Sequence, residues 1–241
     1  MAGLTYSTLV SSIANMLPVA ASDAGFVAVL PNIIDDAEQR LYRELDLLHT
    51  TERDYSLALT AGTRSFTLPV PSAGEFVVLT EVNVVTPAGT TNPDSGGTRN
   101  PLLPVSNEVI NTLWPSVAGS TVPQYFSMLD TNTIIVGPWP LAAYQVEVVG
   151  TIRPNALSSS VTTSILSVHF PDLLMAASMV FACGYQKNFG SMVDDPKAAV
   201  SWETHLQTLM RSAATEEARK VFTSEGWSSQ TPAALATPPR T

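Results

Sequence analysis

The stretch LPNIIDDAEQRLYRELDLL, residues 30–48, decides the class of fold that this chain is expected to adopt. Its apolar side chains recur at intervals of three and four residues, while most of its charged side chains fall elsewhere on the helical wheel, which is typical of an amphipathic helix. Pro31 suits the first helical position, where no backbone N–H is needed. The apolar positions are Ile33, Ile34, Ala37, Leu41, Leu45 and Leu48.

Partners for this helix are predicted near both ends of the chain. Residues 5–17 read as a short helix that Pro18 ends. Residues 170–185 form an apolar helix with a proline and an acid in its first turn, and a last helix starts at Pro196 with Asp195 as its N-cap. On that last helix three residues follow a spacing suited to packing against another helix, and the first of them is expected to be buried: Trp202, Leu206 and Leu209.

The middle of the chain changes to a period of two, which indicates β-strands. Residues 52–60 and 65–68 flank the turn at Ala61-Gly62, so we expect them to pair as a hairpin. Residues 87–101 are rich in Gly, Thr, Asn and Pro and predict an exposed loop. Ser106 is a plausible N-cap for a short helix that ends before Pro115. Further strands are predicted at residues 76–85, 124–129, 133–136 and 143–152.

This order of elements predicts an α+β fold, in which N- and C-terminal helices form a helical bundle around an inserted antiparallel β-rich subdomain. We expect residues 1–51 to supply the first helices, 52–155 the β-rich subdomain and 156–223 the last helices. Residues 224–241 turn to Ser, Thr, Ala and Pro and are expected to form an extended tail that does not fold alone.

Charged residues are unusually scarce in this sequence. They make up 14% of the chain, against roughly 25% in an average soluble protein. Interface cores are poor in lysine and carboxylates, so this composition favours a subunit that buries surface in an assembly; the alternative is that Ser, Thr, Asn and Gln solvate the surface instead. The formal charge of −9 argues against a sequence-independent grip on phosphate backbones and suits a surface along which DNA slides.

No motif for catalysis, metal binding or a cofactor is found. The three histidines are not spaced as ligands, and phosphate-binding and dinucleotide-binding glycine patterns are missing. Neighbouring acids such as Asp35 and Asp36 do not face one another on a helix. Trp139, between two prolines, could stack on a sugar but is better explained as a cover over a sheet edge. The apolar segment from residue 170 to 185 is too short for a membrane span, so we expect no membrane contact.

Several segments, taken in order, resemble the head-to-tail adaptor, or connector, proteins of tailed bacteriophages. Together they cover almost the whole chain. They are LPNIIDDAEQRLYRELDLL, LTAGTRSFTLP, PQYFSMLDTNTIIVGPWP, YQVEVVGTIRP, FPDLLMAASMVFACGYQKN and PKAAVSWETHLQTLM.

The resemblance implies a structural virion protein that is assembled in the host cytoplasm. It would form a homo-oligomeric ring, usually a dodecamer, between the portal protein and a tail or nozzle protein, with genomic DNA passing through the channel without specific binding. The packing helices would carry Ile33, Ile34, Leu41, Leu45, Trp202, Leu206 and Leu209. The C-terminal segment would reach the portal through Trp227, Leu235 and Arg240. The β-rich subdomain would face the phage tail through Asn92, Asp94 and Arg99.

Two alternatives remain open from the sequence. A tail-completion or minor head protein would share this architecture but touch a different virion partner. A virion-associated carboxylate hydrolase would use Trp139 as a sugar platform and would need two carboxyl groups with pKa values pushed apart.

Overall fold

The computed structural model describes residues 3–17, 20, 22–184 and 196–224. These residues form an α+β fold with six α-helices and two four-stranded, mostly antiparallel sheets, which confirms the predicted class. They divide into two compact units. The helical unit comprises the described residues of Met1–His49 and Asn155–Thr241, and the β unit is Thr50–Pro154.

The helical unit contains most of the helices. They are α1 (Tyr6–Met16), α2 (Ala24–Glu44), α4 (Ile165–His169), α5 (Pro171–Gly184) and α6 (Pro196–Ser224). Helix α5 packs against α1, α2, α4 and α6. It can do so because apolar residues such as Leu173, Leu174 and Ala177 leave almost no polar face among its described side chains.

Helix α2 begins seven residues earlier than predicted. Asp23 is its N-cap and accepts a hydrogen bond from the Phe26 N–H at 2.9 Å. Phe26 and Leu30 are both buried one turn apart, so they extend the apolar stripe towards the N-terminus. Pro31 therefore lies inside the helix, and the prediction that it starts the helix was wrong. Its ring is on the exposed side, where water can bind the Val27 carbonyl that Pro31 leaves without a partner.

Helix α6 contacts the core through one narrow stripe. Leu206, Met210 and Ala213 are buried there, at the spacing of a helix face that packs on another helix. Trp202 and Leu209 flank this stripe and are only partly buried. Trp202, predicted to be buried between helices, is therefore buried only in part, since an indole at the margin of a contact is too large to be enclosed.

The β unit consists of two sheets and one helix, α3 (Asn107–Leu113). The first sheet has the order β1-β8-β3-β4 and the second β2-β7-β6-β5, with β5 and β6 the one parallel pair. Helix α3 packs against β6 and β7. The strands are β1 (Thr51–Ala58), β2 (Ser65–Thr67), β3 (Gly74–Thr86), β4 (Thr98–Pro101), β5 (Leu103–Pro104), β6 (Tyr125–Met128), β7 (Thr133–Gly137) and β8 (Gln145–Pro154).

Two expectations for the β unit were wrong. The strands β1 and β2 do not form a hairpin, because β1 pairs with β8 and β2 pairs with β7 in the other sheet. The turn that contains Gly62, with φ of 71°, therefore carries the chain from one sheet to the other. The predicted loop of residues 87–101 is also shorter, since Thr98–Pro101 pairs with the end of β3. Strand β4 was missed because its four residues are polar or proline, so it lacks the alternating apolar residues by which a strand is recognised.

Apolar side chains from both sheets form the core of the β unit. Val84, Val146 and Val148 come from the first sheet, and Ile134 and Val136 come from the second; all five are inaccessible to solvent. Alternation along each strand places the intervening residues on the opposite face of the sheet. Residue 147, between two buried valines, therefore points away from this core.

Strand β1, at one edge of the first sheet, is interrupted by a bulge. Its pairing with β8 shifts between Asp54 and Leu57, which leaves Tyr55 and Ser56 out of register. Both residues nevertheless find partners inside the unit. The Gln145 side chain donates to the Tyr55 carbonyl, and the Ser56 N–H donates to the Asp54 carboxylate at 2.8 Å.

The α6 stripe can be tested with two leucines on the same helix. We expect Leu206→Ala to lower the free energy of unfolding by about 2–5 kcal/mol, because it opens a cavity in a fully buried site. Leu209→Ala should cost roughly 1–2 kcal/mol, since part of that side chain is already in water. Urea unfolding followed by far-UV circular dichroism measures both. Equal losses would show that α6 packs through a different face.

Candidate functional site

Four charged side chains meet on the outer face of the first sheet, and we call them the Glu147 network: Arg53, Asp94, Arg99 and Glu147. Glu147 is 1% exposed and lies between the two arginines. Its carboxylate accepts a hydrogen bond from Arg99 Nε at 2.8 Å and lies 3.3 Å from Arg53 Nη1. Asp94 closes the network from the other side: its Oδ2 lies 2.5 Å from Arg53 and its Oδ1 lies 2.5 Å from Arg99.

Strand register explains why these side chains meet. Glu147 on β8 is opposite Asn83 on β3, whose amide donates to the carboxylate at 3.1 Å. Arg53 is opposite Val149 of β8, and Arg99 is opposite Val85 of β3, so both arginines share the face of Glu147. Each of the four strands thus contributes one side chain, and Asp94 fastens the β3–β4 loop to them.

Both carboxylates of the network are held in the ionised form. Burial raises the pKa of Glu147, but hydrogen bonds from Arg99 and Asn83 outweigh it and hold the pKa below its ordinary value. Arg53 and Arg99 lower the pKa of Asp94 to about 2. A glycosidase needs one carboxyl group whose pKa is raised next to one that stays ionised. The Glu147 network does not provide such a pair.

A shallow groove of about 510 Å³ lies beside the network. Arg53 forms part of its wall, and its guanidinium is 5.5 Å from the centre of the Tyr55 ring. The remaining lining residues are mostly polar: Asp54, Ser56, Thr91 and Gln145. The bulge of β1 shapes this groove, because Tyr55 and Ser56 are the residues that it displaces.

In the helical unit, buried glutamates bind the two segments through which the chain leaves for the β unit and returns from it. Glu217 on α6 is 3% exposed and accepts a hydrogen bond from the Leu48 N–H at 2.9 Å. Glu38 on α2 is 2% exposed and accepts from the Leu157 N–H at 2.7 Å and from Ser164 Oγ at 2.6 Å.

The two glutamates differ in their electrostatics. Burial raises the pKa of Glu38 more than its hydrogen bonds lower it, so the pKa lies above the ordinary value. Burial also acts on Glu217, but Lys220, at 2.7 Å, and the Leu48 N–H more than offset it and lower the pKa. Glu217 therefore keeps its negative charge when buried because a cation on the same helix accompanies it.

An ion pair joins the outward sides of α2 and α6. Arg40 donates to both oxygens of Glu203, at 2.8 and 2.6 Å, and also to Glu44 at 2.8 Å. Arg40 lowers the pKa of Glu203 to about 2. Such a two-pronged contact fixes geometry as well as charge, so it ties α6 to the outward side of α2 at a defined point.

Trp139 is engaged within the β unit. Its indole N–H donates to the Trp114 carbonyl at 3.0 Å, and the Arg64 guanidinium lies over its ring at 5.0 Å. Arg64 in turn donates to the Asn111 side chain. One face of the indole is thus covered by a cation, which agrees with its interpretation as a cover and leaves less of it for a sugar.

The residues assigned to the packing helices lie mainly in the core of the subunit. Ile33, Ile34, Leu41, Leu45 and Leu206 are buried there, and Trp202 and Leu209 pack at its margin.

Of the residues predicted to contact the phage tail or the portal, the structure describes only those predicted to contact the phage tail. Asn92, Asp94 and Arg99 are exposed in part, and Asn92 caps the turn that presents Asp94, its side chain accepting from the Asp94 N–H at 2.9 Å. Trp227, Leu235 and Arg240 lie outside the described residues.

Sequence reasoning missed the buried carboxylates. Glu147 carried a usable signal, because a lone acid within the run Val146–Val149 of an otherwise apolar strand must be paired or face outward. Glu38 and Glu217 had none, since each lies among other charged residues on its helix. His49 and His169, distant in sequence, have rings 4.3 Å apart, but the described residues contain no cluster of three or more metal-ligating side chains.

A family model described as SU10 adaptor protein matches residues 4–232. The chain belongs to this family. The match confirms the resemblance to phage head-to-tail adaptors, and membership implies a structural rather than enzymatic role in the virion, with partners in the phage head or tail. No curated protein matched the chain. Within the described ranges, no helix is both long and apolar enough to cross a membrane.

The adaptor's Glu147 network predicts a large difference between two glutamates of the same sheet. Glu147→Gln should lower the free energy of unfolding by about 1–3 kcal/mol, because Arg99 and Asn83 lose a charged acceptor at a buried site. Glu81→Gln, on the exposed side of β3, is the control and should change it little. Urea unfolding measures both; similar values for the two would contradict a stabilising role for the network.

The network also predicts a pH dependence. The pKa of Asp94 falls from 3.8 to about 2 on folding, so its contribution to stability is complete above about pH 4 and is lost as the pH falls towards 2. In Asp94→Asn, stability should start lower and decline less steeply between pH 4 and 2. Urea midpoints across this range measure the slope, with Asp36→Asn controlling for the loss of one charge. An unchanged slope would contradict the prediction.

Proposed function

We propose that this adaptor forms a closed homo-oligomeric ring, a dodecamer, between the portal and the tail of the virion, and that genomic DNA passes through its channel. The observation that carries the proposal is the family match over nearly the whole chain. A ring of identical subunits requires heterologous contacts that close by rotation, so each subunit must offer two different surfaces.

The distribution of cations supports passage of DNA without binding. The β unit contains no lysine, and its basic residues are Arg53, Arg64, Arg99 and Arg153. The first three are engaged with carboxylates, amides or an aromatic ring of the same unit. Since non-specific affinity for DNA comes from cations that replace counterions on phosphates, a unit with its arginines so engaged should hold DNA weakly.

We assign the two partner surfaces to different units. The β3–β4 loop, with Asn92 exposed beside the Glu147 network, is the tail-facing surface in this proposal. Because Asp94 is bound to Arg99 and Arg99 is bound to Glu147, the loop would meet the tail in a defined conformation and lose little entropy on binding. The segment after α6, with Trp227, Leu235 and Arg240, is the proposed portal-docking arm, and the outward faces of α2 and α6 are the proposed contacts between subunits.

The experiment is a mass measurement by native mass spectrometry or mass photometry. We expect the full chain, alone or with the portal of the same phage, to give a ring of twelve copies. A variant lacking residues 225–241, which leaves α6 intact, should keep its circular dichroism spectrum but lose portal binding. The triple variant Trp227→Ala, Leu235→Ala, Arg240→Ala is the narrower test of the arm.

A chain that stays monomeric with and without the portal would overturn the ring. Undiminished portal binding by the truncated variant would overturn the docking arm but leave the ring intact.

A further inference from the structure

Glu217 connects two parts of the helical unit that are far apart in sequence. Its carboxylate, on α6, binds the Leu48 N–H in the segment between α2 and β1, which we call the first connector, residues 45–50. Lys220, one turn further along α6, binds the same carboxylate and lies 5.2 Å from the centre of the Phe170 ring. One turn of α6 is therefore bound both to the first connector and to the junction of α4 and α5.

The segment of the helical unit that follows the β unit is held differently. Glu38 binds the returning chain through Leu157 and Ser164. It belongs to α2, which is capped and buries its whole apolar face in the core. The first connector packs Leu45 and Leu47 into the core, and the carboxylate that binds its Leu48 N–H comes from α6. That helix contacts the core through the narrow stripe of Leu206, Met210 and Ala213, and it continues directly into the C-terminal segment.

We propose that Glu217 is a positioning residue that couples the packing of α6 on the core to the conformation of the first connector. Stabilising α6 from its C-terminal end would tighten the connector where the chain leaves for the β unit, and loosening α6 would release it. This coupling rests on the proposed function. It provides a route from the portal-docking arm through α6 and Glu217 to the first connector, where the chain enters the unit assigned to the tail. Such coupling is reciprocal, so fixing the first connector in place must also favour the packed position of α6.

The coupling can be measured in the full-length protein without any partner, by hydrogen exchange of the amides of residues 45–50. Glu217→Gln should accelerate this exchange about tenfold or more, because a charge-assisted hydrogen bond to the Leu48 N–H is weakened. Glu216→Gln is the matched control: it removes a neighbouring carboxylate that also pairs with Lys220, at 2.9 Å, but is not the acceptor of the Leu48 N–H. It should leave the exchange nearly unchanged.

A double-mutant cycle separates coupling from simple loss of a contact. Ala214→Gly loosens α6 at an exposed position. It should accelerate exchange at residues 45–50 when Glu217 is present and add nothing when Gln is in its place. Acceleration of equal size in both backgrounds, or none in either, would overturn the proposal. If Glu217→Gln does not fold, Ala214→Gly alone decides, since an unchanged connector would show that α6 does not control it.

Adding the portal of the same phage tests the link to assembly. Exchange at residues 45–50 should slow on portal binding in the wild type and in Glu216→Gln, but not in Glu217→Gln. Portal binding by the wild type without this slowing would overturn the coupling and leave the proposed function standing. Absence of portal binding would overturn the portal-docking function, while the partner-free cycle still decides the coupling.

Discussion

The pairing of β1 with β8 is the constraint on which the rest of the molecule depends. Thr51 is opposite Thr151 in this pair, so the β unit begins and ends on neighbouring strands although about a hundred residues lie between. Because the two ends of the insertion are held together, the helices before and after it can share one core. Closing so long a loop is entropically costly, and the pairing of β8 with both β1 and β3 along its length offsets that cost.

The helices were the part of the fold that sequence reasoning could predict well. Periodicity reports which face of a helix is apolar, and α1, α5 and α6 needed nothing more. The start of α2 was missed because a proline usually begins a helix, whereas here the Asp23 cap and the buried Phe26 stabilise an additional stretch before it. Burial of an apolar stripe therefore outweighed a local preference of the backbone.

Strand partners and the candidate site were harder to predict, because both depend on contacts between distant residues. Alternation identifies a strand but not its neighbour, so β1 and β2 looked like a hairpin although they belong to different sheets. Asp94 and Arg99 were selected as exposed loop residues, yet Arg99 binds Glu147 and Asp94 binds Arg53, each more than forty residues away in sequence. Only the register of four strands brings these charges together, and no local pattern encodes that register.

The bulge in β1 has a consequence for how copies of this protein associate. A regular edge strand invites another chain to extend the sheet, and repetition of that contact produces open fibres. Here the carbonyl of the displaced Tyr55 is already bound by Gln145, and the N–H of Ser56 by Asp54. Open-ended polymerisation of copies through this edge is therefore discouraged, so the strand that closes the β unit does not also expose it to edge-to-edge pairing.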